Sequence, residues 1–274
     1  TLRQMKLADL FDCLLLDLDG VVYIGGSATP GAGETIKRLR DDGKSVVFIT
    51  NDPKRTARGY CEKLRELGIE TAPKDVITSG MALAYHIKSA HGDVGGMKAY
   101  VVGSSSLKEE IGLTGLSVVE GEEAYHADFV IVGGHPDFHY DEMKTATIAV
   151  RNGAHFFATN RDPFYPGPEG LIPATGAILA CIEVASGKTA VTVGKPESIM
   201  FEVALAEHLH RDRKRLVIIG DRLDTDISGG KRAGIITILT LTGATRREDI
   251  AGSDIKPDYV INDLRDLYKE VPET

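Results

Sequence analysis

The chain has 274 residues, of which 42% are hydrophobic and 26% are charged, and its formal net charge is −8 at pH 7. This balance is typical of a globular protein, and its length favours one large domain or two smaller ones. The negative net charge argues against nucleic-acid binding and against a basic membrane-binding surface. The sequence contains no stretch of about 18 apolar residues, so no transmembrane helix is predicted.

Strand-like and helix-like segments alternate along the chain, a pattern that predicts an α/β fold with a Rossmann-like, doubly wound parallel sheet. The first strand is predicted at residues 13–18, a helix at 31–40 and a second strand at 45–50. Asn51 or Asp52 is predicted to cap the next helix. Four more strands are predicted nearer the carboxyl end, at residues 190–193, 216–219, 236–240 and 259–261.

The chain between Thr50 and Lys195 is far longer than two βα units, which need about 60 residues. It contains strand-like runs of its own, KAYVVGS, DFVIVGG and HFFATN. We therefore expect a core domain formed by residues 1–90 and 188–274, with a second α/β domain, residues 91–187, inserted into it.

The sequence DLDG places Asp17 and Asp19 directly after the apolar run CLLL. In open α/β sheets, ligands bind at the carboxyl ends of the strands. A carboxylate there can attack phosphorus and form an acyl phosphate, and a second acid can protonate the leaving oxygen and then activate water. The pair is therefore a candidate nucleophile and general acid–base.

A second acidic cluster follows the strand LVII in the sequence GDRLDTDISGG, with carboxylates at Asp221, Asp224 and Asp226. Acids gathered at one sheet edge repel one another unless a cation lies among them. Magnesium prefers oxygen ligands and is commonly held by one or two carboxylates. The pattern predicts a magnesium site, although Asp224 can equally be a turn residue.

Two further signals also follow predicted strands. Thr50 and Asn51 come after VVFI, where a hydroxyl and free backbone amides suit a phosphate group. Lys195 lies in the sequence VGKP, where its ammonium group could neutralise phosphate charge. Each signal is weak alone, but their order along the chain makes coincidence a poor explanation.

Together, DLDGVVY, FITN, VGKP and GDRLDTDI resemble the four signature motifs of the haloacid dehalogenase (HAD) superfamily. The closer resemblance is to its NagD-like, or p-nitrophenyl phosphatase-like, branch, which carries an inserted cap of the C2 type. It covers nearly the whole chain and implies a HAD core with an α/β cap domain.

The resemblance assigns roles to the core residues. It implies that Asp17 is the nucleophile and Asp19 the general acid and base. It also implies that Thr50, the backbone amide of Asn51 and Lys195 hold the phosphoryl group.

The same resemblance implies a cofactor, Mg²⁺. Its expected ligands are Asp17, the backbone carbonyl of Asp19, and Asp221, with Asp226 supporting the site. An acid at Asp19 is the pattern of phosphatases and mutases within the superfamily.

The segment ATNRDPFYPGPEGLIPATGAI resembles the substrate-facing loop of the branch. The resemblance implies that Asn160, Arg161 and Asp162 contact the substrate. Asp52 stands where the branch usually has Asn. We interpret it as a helix cap rather than as a charge that selects a cationic substrate.

The leading hypothesis is a Mg²⁺-dependent phosphatase acting on small phosphomonoesters through a phospho-aspartate on Asp17. A phosphomutase and a catalytically silent phosphometabolite-binding protein are the alternatives. The substrate stays open among sugar phosphates, nucleotides, phosphoglycolate and pyridoxal phosphate. The resemblance further implies a homodimer formed through the cap.

Three widely separated cysteines (Cys13, Cys61 and Cys181) are too few for a disulfide framework or a zinc site. The amino-terminal residues lack a small-residue cleavage site, so no signal peptide is predicted there. These features predict a reduced, cytoplasmic protein. The negative net charge and the lack of a long apolar run predict that it binds neither nucleic acid nor membrane.

Overall fold

A computed structural model describes residues 5–167, 169–208 and 215–270. The chain forms two compact units. The first comprises the described parts of Thr1–Thr50, Ala57–Ile77 and Lys195–Thr274, and the second comprises Asn51–Thr56 and Thr78–Gly194. The second unit therefore interrupts the first in sequence.

The helices and strands of the first unit lie on both sides of the long sequence segment that forms most of the second unit, Thr78–Gly194. Up to Thr78, where the longer segment of the second unit begins, the chain forms β1 (Cys13–Asp17), β2 (Tyr23–Ile24), β3 (Ser27–Ala28), α1 (Ala32–Asp41), β4 (Ser45–Thr50), α2 (Ala57–Glu66) and β5 (Val76–Thr78). The second unit contains α3 (Ser79–His91), β6 (Lys98–Gly103), α4 (Ser105–Gly112), β7 (Ser117–Val118), β8 (Phe129–Gly134), α5 (Tyr140–Arg151), β9 (His155–Ala158), β10 (Phe164–Gly167), β11 (Gly170–Pro173), α6 (Thr175–Ser186) and β12 (Val191–Thr192). After it come α7 (Ser198–His208), β13 (Leu216–Gly220), α8 (Ser228–Arg232), β14 (Ile236–Thr240), α9 (Arg247–Gly252) and β15 (Tyr259–Ile261).

The first unit is built on a six-stranded sheet in the order β15-β14-β13-β1-β4-β5. β1 lies near the middle and pairs in parallel with both β13 and β4. It is buried along its whole length, because helices cover both faces of such a sheet. Leu14, Leu15 and Leu16 are 0% exposed, and each contributes about 1.5–3 kcal/mol by burial. The strand that carries Asp17 is thus paired on both edges and buried along its length.

The second unit has a five-stranded sheet in the order β12-β9-β8-β6-β7, and its paired strands are all parallel. α5 and α6 pack on one face over a core that includes Val130, Val132 and Leu179. β10 and β11 form a separate antiparallel hairpin. Ser104 caps α4 by accepting a hydrogen bond from the amide of Leu107 at 3.3 Å.

The structure shifts the boundaries of the predicted division. Apart from the short segment Asn51–Thr56, which also belongs to the second unit, the unit boundaries fall after Ile77 and after Gly194, rather than at residues 90/91 and 187/188. α3 belongs to the second unit, where it packs against α4. The strand predicted at residues 190–193 also lies there, since β12 pairs with β9.

The predicted cap at Asn51 or Asp52 is wrong, because α2 begins only at Ala57. The carbonyl of Asn51 instead accepts hydrogen bonds from Ser79 at 2.6 Å and Asn160 at 2.8 Å. The carboxylate of Asp52 accepts from the amide of Lys54 at 3.0 Å, which closes a local turn.

Candidate active site

The candidate site lies at the carboxyl edge of the six-stranded sheet. Asp17 is level with Ile49, so Thr50 is one residue further along the same edge. Leu16 is level with Ile219, so Asp221 also lies just past the strand ends. The parallel pairing of three neighbouring strands therefore gathers these side chains, as predicted from their positions in the sequence.

Lys195 lies between two carboxylates. Its Nζ donates to Oδ1 of Asp17 at 2.6 Å and to Oδ1 of Asp226 at 2.7 Å. Only 3% of the lysine side chain is exposed, and the two aspartate side chains are 11% and 1% exposed. Charge-assisted hydrogen bonds of this kind are short and hold their partners in defined positions.

Asp221 is held by the loop that follows β14. Its Oδ2 accepts a hydrogen bond from the amide of Ala244 at 2.6 Å, and its backbone carbonyl accepts from Thr245 at 3.2 Å. A Cβ on Gly243 would lie 2.1 Å from Oδ2 of Asp221, and one on Gly20 would lie 2.4 Å from it. Glycine at both positions leaves room for this carboxylate.

A short π-helical turn, Leu223–Ile227, directs Asp226 back to the sheet edge. Oδ2 of Asp226 accepts from the amide of Arg222 at 3.1 Å, while Oδ1 bonds Lys195. Asp224 points elsewhere: its side chain is 67% exposed and pairs with Arg222 at 2.7 Å. The interpretation of Asp224 as a turn residue agrees with this position.

Burial controls the charge state of the cluster. Desolvation raises the pKa of Asp17 well above its ordinary value of 3.8; Lys195 opposes this, and Asp226 and Asp221 add to it. Burial, with Asp226 beside it, raises the pKa of Asp221 to about 6. Burial lowers the pKa of Lys195, but Asp17 and Asp226 outweigh it, so the net pKa is raised. One buried ammonium group thus faces three carboxyl groups.

The donor set fits a hard divalent cation. Asp17, Asp221 and Asp226 each present an oxygen within 4.8 Å of the others, and all three residues are buried. Lys195 offsets only part of their negative charge, and oxygen ligands are those that Mg²⁺ prefers. Asp19 differs from these residues in being exposed, and its Oδ2 accepts a hydrogen bond from Tyr23 at 3.4 Å.

Four of the predicted site residues lie in the second unit. Asn51 donates from Nδ2 to Oδ2 of Asp162 at 3.2 Å, and Asn160 accepts at Oδ1 from the amide of Asp162 at 3.0 Å. Asn160 is 3% exposed. Asn51, Asn160 and Asp162 thus form one hydrogen-bonded cluster, and their predicted contact with substrate stays a prediction.

The fourth, Arg161, is tied to its own unit. Its guanidinium group donates to the carboxylate of Glu183 at 2.6 and 3.1 Å, to Thr192 at 2.9 Å and to the carbonyl of Ala190 at 3.1 Å. Hydrogen bonds from Arg161 hold the pKa of Glu183 below its usual value. The geometry gives Arg161 a structural task that the sequence did not indicate.

We expect Arg161→Gln and Glu183→Gln to lower the free energy of unfolding by similar amounts, about 1 kcal/mol, since each breaks the same half-exposed pair. Urea unfolding of both single variants and the double variant measures this. The double variant should lose little more than either single one. If Arg161→Gln alone weakens substrate binding, with Glu183→Gln unaffected, the predicted substrate contact holds instead.

The loop after β14 was missed from the sequence. Besides the amide of Ala244, it brings the hydroxyl of Thr242 to the carbonyl of Gly20 at 2.5 Å. The available signal was the sequence LTGAT directly after a strand. It contains no charged group, so nothing in it pointed to a site.

Comparison with known proteins agrees with this geometry. Residues 14–117 match the family model described as haloacid dehalogenase-like hydrolase, and residues 192–267 match one described as HAD-hydrolase-like. An acid sugar phosphatase of Staphylococcus aureus is 35% identical over 261 residues, which are 95% of this chain and 98% of that protein. The chain belongs to the haloacid dehalogenase-like hydrolase family.

Solved structures of phosphatases extend the comparison to the fold. A glycerol phosphate phosphatase of Mycobacterium tuberculosis in complex with magnesium is 31% identical with a TM-score of 0.90, covering 98% of this chain and 79% of that one. The 4-nitrophenylphosphatase of Thermotoga maritima is 34% identical with a TM-score of 0.88, covering 96% and 98%. The predicted HAD fold and the resemblance to the p-nitrophenyl phosphatase-like branch are confirmed.

Within the part of this HAD-like chain that the structure describes, no helix combines the length and the apolar character needed to cross a membrane.

Proposed function

We propose that this chain is a Mg²⁺-dependent phosphatase that hydrolyses small phosphomonoesters through a phospho-aspartate on Asp17. The observation that carries the proposal is the buried group of Asp17, Asp221 and Asp226 around Lys195 at the sheet edge. The family, and relatives named as phosphatases, support the same reaction class.

In the first step, a carboxylate oxygen of Asp17 forms a bond to phosphorus. Lys195 holds Oδ1 and thereby orients Oδ2 for this attack. The bond between phosphorus and the ester oxygen breaks, and its electron pair passes to that oxygen. The carboxyl group of Asp19 donates the proton that the departing alcohol needs.

In the second step, the Asp19 carboxylate accepts a proton from water as the water oxygen bonds to phosphorus. The bond between phosphorus and Asp17 breaks, and its electron pair returns to the carboxylate. Ester and water thus become alcohol and phosphate. Lys195, Thr50 and the backbone amide of Asn51 are proposed to hold the phosphoryl group.

Asp17, Asp221 and the backbone carbonyl of Asp19 would bind Mg²⁺, with Asp226 supporting them through Lys195. When bound, the cation offsets the repulsion between a carboxylate nucleophile and a phosphate dianion. Burial and the neighbouring carboxylates raise the pKa of Asp17 and of Asp221, and a bound cation would oppose both effects.

We expect Gly243→Ala to raise the Mg²⁺ concentration needed for half-maximal activity by about 10-fold, because a Cβ there collides with the Asp221 carboxylate. A magnesium titration of phosphate release measures this. Gly252→Ala is the matched control, because a Cβ at Gly252 meets nothing within 4 Å. Equal magnesium requirements for the two variants would contradict a metal-binding role for Asp221.

The function is tested by phosphate release from p-nitrophenyl phosphate and from a panel of small phosphate esters, with Mg²⁺ and with excess chelator. Release that needs the metal supports the proposal. Folded protein that binds the esters without releasing phosphate would favour the silent binding protein. Phosphate transfer to a second hydroxyl that depends on a sugar bisphosphate would favour the phosphomutase.

The substrate is proposed to be a small phosphorylated metabolite, in keeping with the sugar phosphate and glycerol phosphate named for the relatives. We also propose a cytoplasmic location, supported by three cysteines that are all free. A homodimer formed through the second unit is proposed by family resemblance, and light scattering would test it.

A further inference from the structure

Tyr23 lies next to the proposed general acid and base. Its side chain is 0% exposed, yet its hydroxyl reaches Oδ2 of the exposed Asp19 at 3.4 Å. The ammonium group of Lys63, from α2, lies 3.5 Å from the centroid of the tyrosine ring. The phenol is thus packed in the first unit, with a cation on its face and its O–H directed to a carboxylate.

The backbone around this pair is closely bonded. The amide of Gly20 donates to the carbonyl of Tyr23 at 2.8 Å, and the amide of Tyr23 donates to the carbonyl of Leu18 at 3.2 Å. The hydroxyl of Thr29 bonds the carbonyl of Val21 at 2.6 Å. The phenol therefore has a fixed position relative to Asp19, and its O–H favours those rotamers of the exposed carboxylate that bring Oδ2 to it.

We propose that Tyr23, with Lys63 packed on its ring, is a positioning residue that fixes the side chain of Asp19 for proton transfer. This inference rests on the proposed function, because it assigns a partner to the residue that protonates the leaving alcohol. The hydroxyl of Tyr23 donates to Oδ2, so the transferred proton is carried by Oδ1. That proton moves to the ester oxygen as its bond to phosphorus breaks and the Asp17 oxygen bonds to phosphorus.

A leaving-group comparison separates positioning of the acid from a general effect on the fold. p-Nitrophenolate departs near neutral pH without a proton, whereas the alkoxide of glycerol phosphate needs one. The quantity to compare is kcat/KM, because it reports the steps up to departure of the alcohol. Loss of a well-placed acid should therefore affect the alkyl ester selectively.

We expect Tyr23→Phe to lower kcat/KM for glycerol phosphate by about tenfold, while kcat/KM for p-nitrophenyl phosphate changes less than about twofold. The phenylalanine ring keeps the packing and removes only the O–H. Lys63→Met should lower kcat/KM for glycerol phosphate by a smaller factor, again with little effect on p-nitrophenyl phosphate. Lys63→Arg, which keeps the cation, should keep the wild-type ratio of the two kcat/KM values. An equal loss with both esters would overturn the inference.

Tyr268→Phe is the matched control. Tyr268 also donates to an aspartate, Asp42, at 2.7 Å, and also lies beneath a cation, Arg38, at 3.7 Å from its ring centroid. Asp42 is not one of the buried carboxylates around Lys195, and it has no role in the proposed mechanism. Tyr268→Phe should leave the ratio of kcat/KM for glycerol phosphate to kcat/KM for p-nitrophenyl phosphate unchanged. A shift of that ratio in this control would overturn the inference. Wild-type protein inactive with both esters would instead contradict the proposed function.

Discussion

Asp17→Asn is expected to reduce phosphate release by on the order of 10⁴-fold or more, because an amide cannot form the phospho-aspartate. The substitution is nearly isosteric, and Lys195 keeps its bond to Asp226 at 2.7 Å. The expected result is therefore a folded protein that binds ester but does not turn it over. Phosphate release under saturating Mg²⁺, with circular dichroism of the same sample, measures both properties.

The same variant makes a prediction about stability. Because burial raises the pKa of Asp17 above 3.8, the stability that its carboxyl group contributes is present below about pH 4 and is lost as the pH rises. Asp17→Asn removes this titration. Without divalent cations, the variant should be at least as stable as wild type at pH 8, and its relative advantage should be smaller at pH 5.

Thermal unfolding at these two pH values, in the presence of a chelator, checks the sign. Asp254→Asn serves as the control, since this aspartate lies outside the buried carboxylate group. Full activity of Asp17→Asn would remove the nucleophile from the proposed mechanism. A marked loss of stability at pH 8 would show that Asp17 is held by more than its bond to Lys195.

The core of the site could be predicted from sequence for a geometric reason. Asp17, Thr50 and Asp221 each follow a strongly apolar run, and parallel strands end at one edge of their sheet. Three separate stretches of sequence therefore had to converge if the runs were strands of one sheet. Four matching motifs then restricted the chemistry far more than any single acid pair could.

Other features depend on contacts that leave no periodic signal. β12 looks like a strand before Lys195, but its partner, β9, lies in the second unit. Strand propensity carries no information about which sheet a short strand joins. The amide of Ala244 also binds Asp221 through its backbone, which any residue type supplies equally. The amino-acid sequence therefore shows which side chains can do chemistry, but not which backbone groups hold them in place.

Arg161 shows what a motif does not reveal about a side chain, and its substrate contact stays a prediction. Its place in a substrate-like loop motif implied a ligand contact, whereas its guanidinium group binds Glu183, Thr192 and a backbone carbonyl. Glu183 lies on α6, more than twenty positions further along the chain, and no local pattern links the two. A charged residue in a functional motif can therefore have a structural partner that only the fold reveals.

Lys195→Met is expected to give the largest loss of stability, because it leaves three buried carboxyl groups without their cation. The lysine is 3% exposed and bonds both Asp17 and Asp226. Removing one member of a buried ion pair costs about 3–5 kcal/mol. Activity should be lost as well, because Asp17 is then unrestrained and phosphate charge is no longer offset. Lys231→Met, which breaks a half-exposed pair with Asp258, should cost at most about 1 kcal/mol.

The pH dependence identifies the cause of the loss. Without Lys195, the pKa values of Asp17 and Asp221, already raised by burial, rise further, so folding takes up protons across the range above about pH 4. The deficit relative to wild type should be greatest at pH 8 and shrink as the pH falls towards about 6, the wild-type pKa of Asp221, because the variant's Asp221 takes up its proton at a higher pH. Mg²⁺ should also raise the melting temperature of the variant more than that of wild type, since the cation meets one more uncompensated negative charge. Equal deficits at pH 5 and pH 8 would mean that lost packing of the lysine chain, rather than carboxylate repulsion, destabilises the variant.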